Sequence, residues 1–204
     1  MRFDKVVIRT LLSTLLAIVI LLITLILLLC LAFPSTMMEM TYKMGMDGAS
    51  VKYAMRAYNQ TGSVQYVAFA METAIGADDF SDVERCGLQL IADEDFLVYC
   101  ESRNQNIDTT VMTYQQYVYS QVSIAQYSID KKSEAQDTAF TGVGNTFPQN
   151  NAVVGLMITA ITRQDGATVT EIKIKMQSLL PNVTDVAQAQ YLQEAITLCV
   201  NAGY

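Results

Sequence analysis

The sequence contains no histidine and no tryptophan. Without histidine, the chain cannot build a Ser-His-Asp or Cys-His nucleophilic site or an HExxH zinc site. The side chain that most often carries protons near neutral pH is missing as well. Any acid–base chemistry would therefore depend on Asp and Glu carboxylates.

Prolines, glycines and basic residues are all scarce. Three prolines and ten glycines interrupt 204 residues, which favours long stretches of regular structure. From Ser35 onward the chain carries 10 Lys/Arg against 19 Asp/Glu. Because nucleic-acid binding needs a basic face, this acidic balance argues against a nucleic-acid partner.

The four cysteines form no CxxC motif. Cys30 lies in a long apolar run, and Cys86, Cys100 and Cys199 lie outside it. Three is an odd number for a disulfide framework. A Cys86–Cys100 disulfide in an oxidising compartment stays open as an alternative, and three small buried core residues are the favoured interpretation.

The apolar run covers residues 10–33, holds no charge and no glycine, and is followed by Pro34. About 20 apolar residues in a helix cross the roughly 30 Å hydrocarbon core of a bilayer. A cleaved secretory signal is the alternative, but its apolar region is usually about 7–15 residues. The run therefore predicts a transmembrane helix in contact with the lipid bilayer.

The charges on either side of this run predict its orientation. Arg2, Lys5 and Arg9 precede it, and the first cation after it is Lys43. The positive-inside rule then leaves the N-terminus in the cytoplasm of a single-pass, signal-anchored cell-membrane protein. The chain divides into a short cytoplasmic tail, a transmembrane helix and an extracytoplasmic domain, at residues 1–9, 10–33 and 35–204.

Beyond Pro34, apolar residues recur at steps of three and four, which predicts an all-α domain. Ser50, and either Asp78 or Asp79, are expected helix caps. One long helix is predicted over residues 108–141, capped by Asp108, with the polar residues 130–137 as a solvated end or a break.

Two segments resemble the 34-residue tetratricopeptide repeat, a pair of antiparallel helices. In residues 51–76, Ala57, Tyr58 and Gly62 occupy the places of the family's small residue, aromatic residue and turn glycine. Residues 150–182 follow the same pattern and end in Pro-Asn, as the repeat does. The first-helix tryptophan of the family is replaced by valine in both segments, at positions 51 and 153.

The second segment also has a β interpretation. Residues 171–176 alternate polar and apolar side chains, and Asp165-Gly166 is a typical hairpin dipeptide. Residues 153–162 and 168–176 would then form two strands. Helices are favoured, because one isolated hairpin is only marginally stable.

The candidate binding residues lie in a stretch rich in Tyr and Gln. Tyr114 falls on the apolar stripe of its predicted helix, so we expect it in the core. Tyr117 and Tyr119 point elsewhere, and tyrosine is an efficient contact residue in interfaces. Tyr117 and Tyr119 are therefore the predicted binding residues.

The resemblance implies a concave helical surface that holds a protein or peptide. The predicted function is a membrane-anchored protein-interaction scaffold outside the cytoplasm, not an enzyme, with no cofactor, no metal and no catalytic residue. Two alternatives remain: an envelope enzyme subunit that uses carboxylates, and a ligand-sensing ectodomain.

Overall fold

The computed structural model describes residues 2–109, 112–141, 151–184 and 186–204. Every regular element in these residues is helical, which confirms the all-α prediction. The chain divides into two compact units, Met1–Gly62 and Ser63–Tyr204. The helices of the first unit are α1 (Arg2–Ala32), α2 (Pro34–Lys43) and α3 (Asp47–Thr61).

The second unit holds the remaining described helices. They are α4 (Val64–Gly76), α5 (Phe80–Ile91), α6 (Phe96–Asn104), α7 (Tyr114–Ser128), α8 (Lys132–Thr141), α9 (Asn151–Thr162), α10 (Gly166–Leu179) and α11 (Val186–Asn201). A 3₁₀ turn, Leu180–Asn182, follows α10 and contains the Pro-Asn pair that ends the second repeat-like segment.

Helix α1 carries the apolar run. Within its stretch Val7–Ala32, a window of 18 residues has a mean hydropathy of 3.4, and none of that window is buried. At 26 residues, this stretch is long and apolar enough to cross a membrane. Its side chains would be costly to leave in water, so the composition of α1 suits lipid.

In the first unit, α2 and α3 pack against each other as a hairpin. Gly45 in the turn has a φ of +70°, a conformation that glycine adopts without strain. The Ser50 hydroxyl donates a hydrogen bond of 3.1 Å to the Met38 carbonyl oxygen. The prediction that Ser50 caps a helix is therefore wrong. Ser50 is a buried residue inside α3, which begins three residues earlier.

Helix α7 is the centre of the second unit and packs against α5, α6, α8 and α9. Two helices approach it closely through glycines. A Cβ at Gly87 of α5 would lie 2.2 Å from Val122 Cγ2, and one at Gly155 of α9 would lie 2.9 Å from Ser120 Oγ. Small residues at these crossings let the helix backbones come together.

One hydrophobic core of this unit joins α7, α8, α9, α10 and α11. It contains fully buried aliphatic and sulfur-containing side chains, which are Val153, Leu156, Met157, Val169, Ile172, Met176, Leu192 and Cys199. Several of them come from the segment with two interpretations. That segment is helical, and Asp165 caps α10 by accepting a hydrogen bond of 3.3 Å from Thr168 N.

Two helices, α7 and α8, replace the single long helix predicted over residues 108–141, and the predicted alternative of a break at residues 130–137 is confirmed. Helix α7 ends at Ser128, Asp130 has a φ of +67°, and α8 begins at Lys132. A left-handed residue ends a helix, so the polar segment contains a break. The predicted cap Asp108 is wrong, because Thr113 caps α7 in a capping box with Gln116.

Other local predictions hold. Asp79 caps α5, and its side chain accepts a hydrogen bond of 3.1 Å from Asp82 N. All four cysteines are free thiols, and Cys86 and Cys100 are buried, as expected of core residues. Burial raises the pKa of Cys86 to about 11 and that of Cys100 to about 12, so neither thiol is a nucleophile at neutral pH.

Candidate functional site

The candidate site lies where α6 ends and α7 begins, beside α4. Asn104, the last residue of α6, accepts a hydrogen bond of 2.7 Å from the backbone N–H of Tyr114. The capping box of Thr113 and Gln116 holds the same turn. The local sequence therefore fixes where the Tyr114 side chain leaves the first turn of α7.

Two donors converge on one carboxylate oxygen in this site. Arg103 Nη2 donates to Glu72 Oε1 at 2.9 Å, and the Tyr114 hydroxyl donates to the same oxygen at 2.7 Å. The Arg103 guanidinium also lies 4.9 Å from the Tyr114 ring centroid, within cation–π range. Glu72, Arg103 and Tyr114 thus hold one another in place.

Tyr114 stays protonated in this arrangement. Burial, and then the hydrogen bond to Glu72, hold the pKa of Tyr114 far above its usual range. Burial also raises the pKa of Tyr117. At neutral pH both phenols act as hydrogen-bonding and contact groups, and neither can serve as a base.

A cavity of about 470 Å³ opens beside these residues. It is lined by Glu72, Arg103, Ile107, Asp108, Met112, Tyr114 and Tyr117. Its size falls in the range of roughly 300–1,000 Å³ that is typical of ligand pockets, and apolar walls with a few polar groups are typical too. We call this cavity the tyrosine pocket.

Two charged residues of the tyrosine pocket, Glu72 and Arg103, still have polar atoms that can hydrogen-bond to a ligand. Within the described part of the chain, Glu72 Oε2 and Arg103 Nε and Nη1 make no hydrogen bond. The Glu72 side chain is 35% exposed and that of Arg103 is 42% exposed, so a ligand can reach both. One carboxylate oxygen of Glu72 and further N–H groups of the Arg103 guanidinium are therefore available beside an apolar wall.

The structure separates the two predicted binding residues. Tyr117 lines the tyrosine pocket, and its ring lies 5.8 Å from that of Tyr114. Tyr119 is half-buried and packs edge-on against Phe96, with the ring centroids 6.3 Å apart. Tyr119 does not line the tyrosine pocket.

Sequence reasoning missed Glu72, which lies in the first repeat-like segment, and Arg103, which lies outside both segments. A signal for Glu72 was present. It is the one charged residue in α4, whose other residues are mostly apolar. A lone acid on such a helix needs a partner, and Arg103, 31 positions along the chain, supplies it.

A second cavity, of about 570 Å³, lies between α8 and α10. Its polar groups already bind one another. Asp165 Oδ2 accepts hydrogen bonds from Thr168 Oγ1 at 2.8 Å and from the Tyr127 hydroxyl at 2.9 Å, and it pairs with Lys132 at 2.8 Å. Chiefly the Lys132 bond holds the pKa of Asp165 well below its usual range.

The Gln136 side chain, in the same cavity, donates a hydrogen bond of 2.6 Å to Glu171 Oε2. These groups serve as helix caps and inter-helix contacts, so the tyrosine pocket is the better candidate site.

Comparison of the chain with protein-family models, curated proteins and solved structures finds no match.

Proposed function

We propose that the protein is a membrane-anchored binding module whose tyrosine pocket holds a peptide segment of a membrane-linked protein. Helix α1 is the anchor, the N-terminus is cytoplasmic, and the helical hairpins form a tetratricopeptide-like domain outside the cytoplasm. The observation that supports this proposal best is the tyrosine pocket, where Tyr117 lies beside polar atoms of Glu72 and Arg103 that can bind a ligand.

The lining of the pocket indicates what the peptide must offer. Ile107, Met112 and Tyr117 form an apolar wall that would take an aliphatic or aromatic side chain. Arg103 suits a carboxylate, since its guanidinium is a cation with N–H donors that Glu72 does not occupy. Glu72 Oε2 would accept a hydrogen bond from the peptide backbone or from an amine.

An enzyme that uses carboxylates is the second candidate, because both Glu72 and Asp108 line the tyrosine pocket. Glu72 Oε1 already accepts hydrogen bonds from Arg103 and Tyr114. Such a held carboxylate suits positioning a ligand better than exchanging protons. We therefore favour binding.

Photocrosslinking tests the proposal in native membranes. A benzophenone amino acid at Tyr117 of the full chain should give one discrete crosslinked product, because this side chain lines the pocket. The matched controls place the same group at Tyr119, outside the pocket, and at Leu97, which is 58% exposed on α6. Equal products at all three positions, or none at Tyr117, would overturn the proposal.

A second experiment measures how much the Tyr117 side chain contributes to binding of the partner. Tyr117→Ala should weaken capture of the crosslinked partner by about tenfold or more, as expected of a tyrosine at the centre of an interface. Tyr119→Ala removes the same ring outside the pocket and should leave capture unchanged. A loss in both variants would point to a damaged fold, and thermal unfolding of each variant separates that effect from lost contact.

A further inference from the structure

Helix α3 crosses the end of the membrane helix. The Tyr53 hydroxyl donates a hydrogen bond of 3.1 Å to Cys30 Sγ, and Gln60 Nε2 donates one of 3.2 Å to the Leu31 carbonyl oxygen. Tyr53 and Gln60 stand about 10 Å apart along α3, whereas Cys30 and Leu31 are neighbours on α1. A helix running alongside α1 would meet residues about two turns apart instead.

Helix α2 starts directly after α1, at Pro34, and pairs with α3. The α2–α3 hairpin therefore extends sideways from the end of α1. If α1 stands upright in a bilayer, residues 34–61 lie along its surface, at the level of the headgroups.

The hairpin leaves large apolar side chains uncovered. Its buried face on α2 consists of Pro34, Met38 and Thr41. Met40, Met44 and Met46 are 48%, 60% and 52% exposed, and Phe33 at the end of α1 is 56% exposed. Met40 and Met44 are four residues apart, so their side chains lie on the same side of the helix.

The charges of the hairpin differ from those of the second unit. Residues 34–62 carry three Lys/Arg and two Asp/Glu, whereas residues 63–204 carry seven and seventeen. Lys43, Lys52 and Arg56 belong to the hairpin and are exposed. Arg56 follows Tyr53 by three residues, about 60° around α3, so it leaves the helix on the side that faces the end of α1.

We infer that the α2–α3 hairpin is an interfacial element that lies on the lipid surface, an inference that rests on the proposed anchoring by α1. Met40, Met44 and Met46 enter the boundary between headgroups and acyl chains. Lys43 and Arg56 meet the lipid phosphates. Apolar residues flanked by cations are typical of helices that lie in this boundary, and flexible methionine adapts to irregular surroundings.

The missing tryptophan makes the test direct, because any introduced indole is the only one in the chain. The full chain carrying Met44→Trp is reconstituted in phosphatidylcholine–phosphatidylglycerol vesicles whose acyl chains are brominated near the headgroup. Leu16→Trp, within the span, is the buried reference, and Ile174→Trp, at a site 57% exposed, is the hydrated reference. Flotation reports membrane insertion separately.

The inference expects a blue shift and loss of emission for Met44→Trp relative to Ile174→Trp, with the same result for Met40→Trp. Flotation with quenched Leu16→Trp but unquenched Met44→Trp would overturn the hairpin inference and leave the anchor standing. A blue shift without bromine quenching would show that protein, such as a second copy, covers this face, and would also overturn it. Failure to float would refute both the anchor and the hairpin inference.

Discussion

Gly87→Ala is expected to lower the free energy of unfolding by about 2 kcal/mol. The new methyl carbon would lie 2.2 Å from Val122 Cγ2 and 3.3 Å from Met71 Sδ. Val122 and Met71 are fully buried, so neither can move into solvent. Alanine gains roughly 1 kcal/mol over glycine in a helix, but the overlap outweighs that gain. Urea unfolding of the full chain in micelles, followed by tyrosine near-ultraviolet circular dichroism, measures the difference.

Two further variants separate crowding from other effects of Gly87→Ala. In a Val122→Ala background the contacting methyl group is gone, so the penalty of Gly87→Ala should largely disappear. Gly76→Ala is the matched control, since a Cβ there meets nothing within 4 Å. Unchanged stability of Gly87→Ala alone would show that α5 and α7 do not cross as closely as described.

The second large effect is expected from Lys131→Met. Lys131 Nζ lies 2.9 Å and 2.7 Å from the two carboxylate oxygens of Glu84, whose side chain is only 11% exposed. The nearest other donor, Gln126 Nε2, lies 3.5 Å away. The variant would leave a buried charge without its cation, at a cost of about 3 kcal/mol in the free energy of unfolding.

Removing the charge of Glu84 instead of that of Lys131 should lower the free energy of unfolding much less. Glu84→Gln removes the buried charge, and the Lys131 side chain, 47% exposed, can turn to water. We expect about 1 kcal/mol from this loss, as for an exposed ion pair. The double variant Glu84→Gln with Lys131→Met should recover most of the loss caused by Lys131→Met. Equal, small losses for the two single variants would contradict the described burial of Glu84.

The sequence predicted best what depends on near neighbours. The apolar composition of α1 and the cap of α5 at Asp79 are local properties, and both were read correctly. The break between α7 and α8 was left as one of two alternatives, because the helical spacing continues through Ile129. There a left-handed Asp130 ends α7, and the following residue, Lys131, pairs with Glu84, 47 positions earlier.

The tyrosine pocket shows the same limit. The aromatic character of Tyr117 was visible in the sequence, and this residue does line the pocket. Its polar partners were not visible, because α4 and the end of α6 meet only in the folded chain. Spacing along one helix also could not distinguish Tyr117 from Tyr119, since the difference depends on whether Phe96 or a cavity lies opposite.

The central claim is that α1 holds the helical domain outside the cytoplasm. A topology assay tests it most directly, with a reporter active only outside the cytoplasm and, in parallel, one active only inside, each fused to Tyr204. The account predicts activity of the outside reporter alone, because Arg2, Lys5 and Arg9 keep the N-terminus inside. Activity of the inside reporter alone would contradict the orientation, and with it every extracytoplasmic partner proposed for the tyrosine pocket.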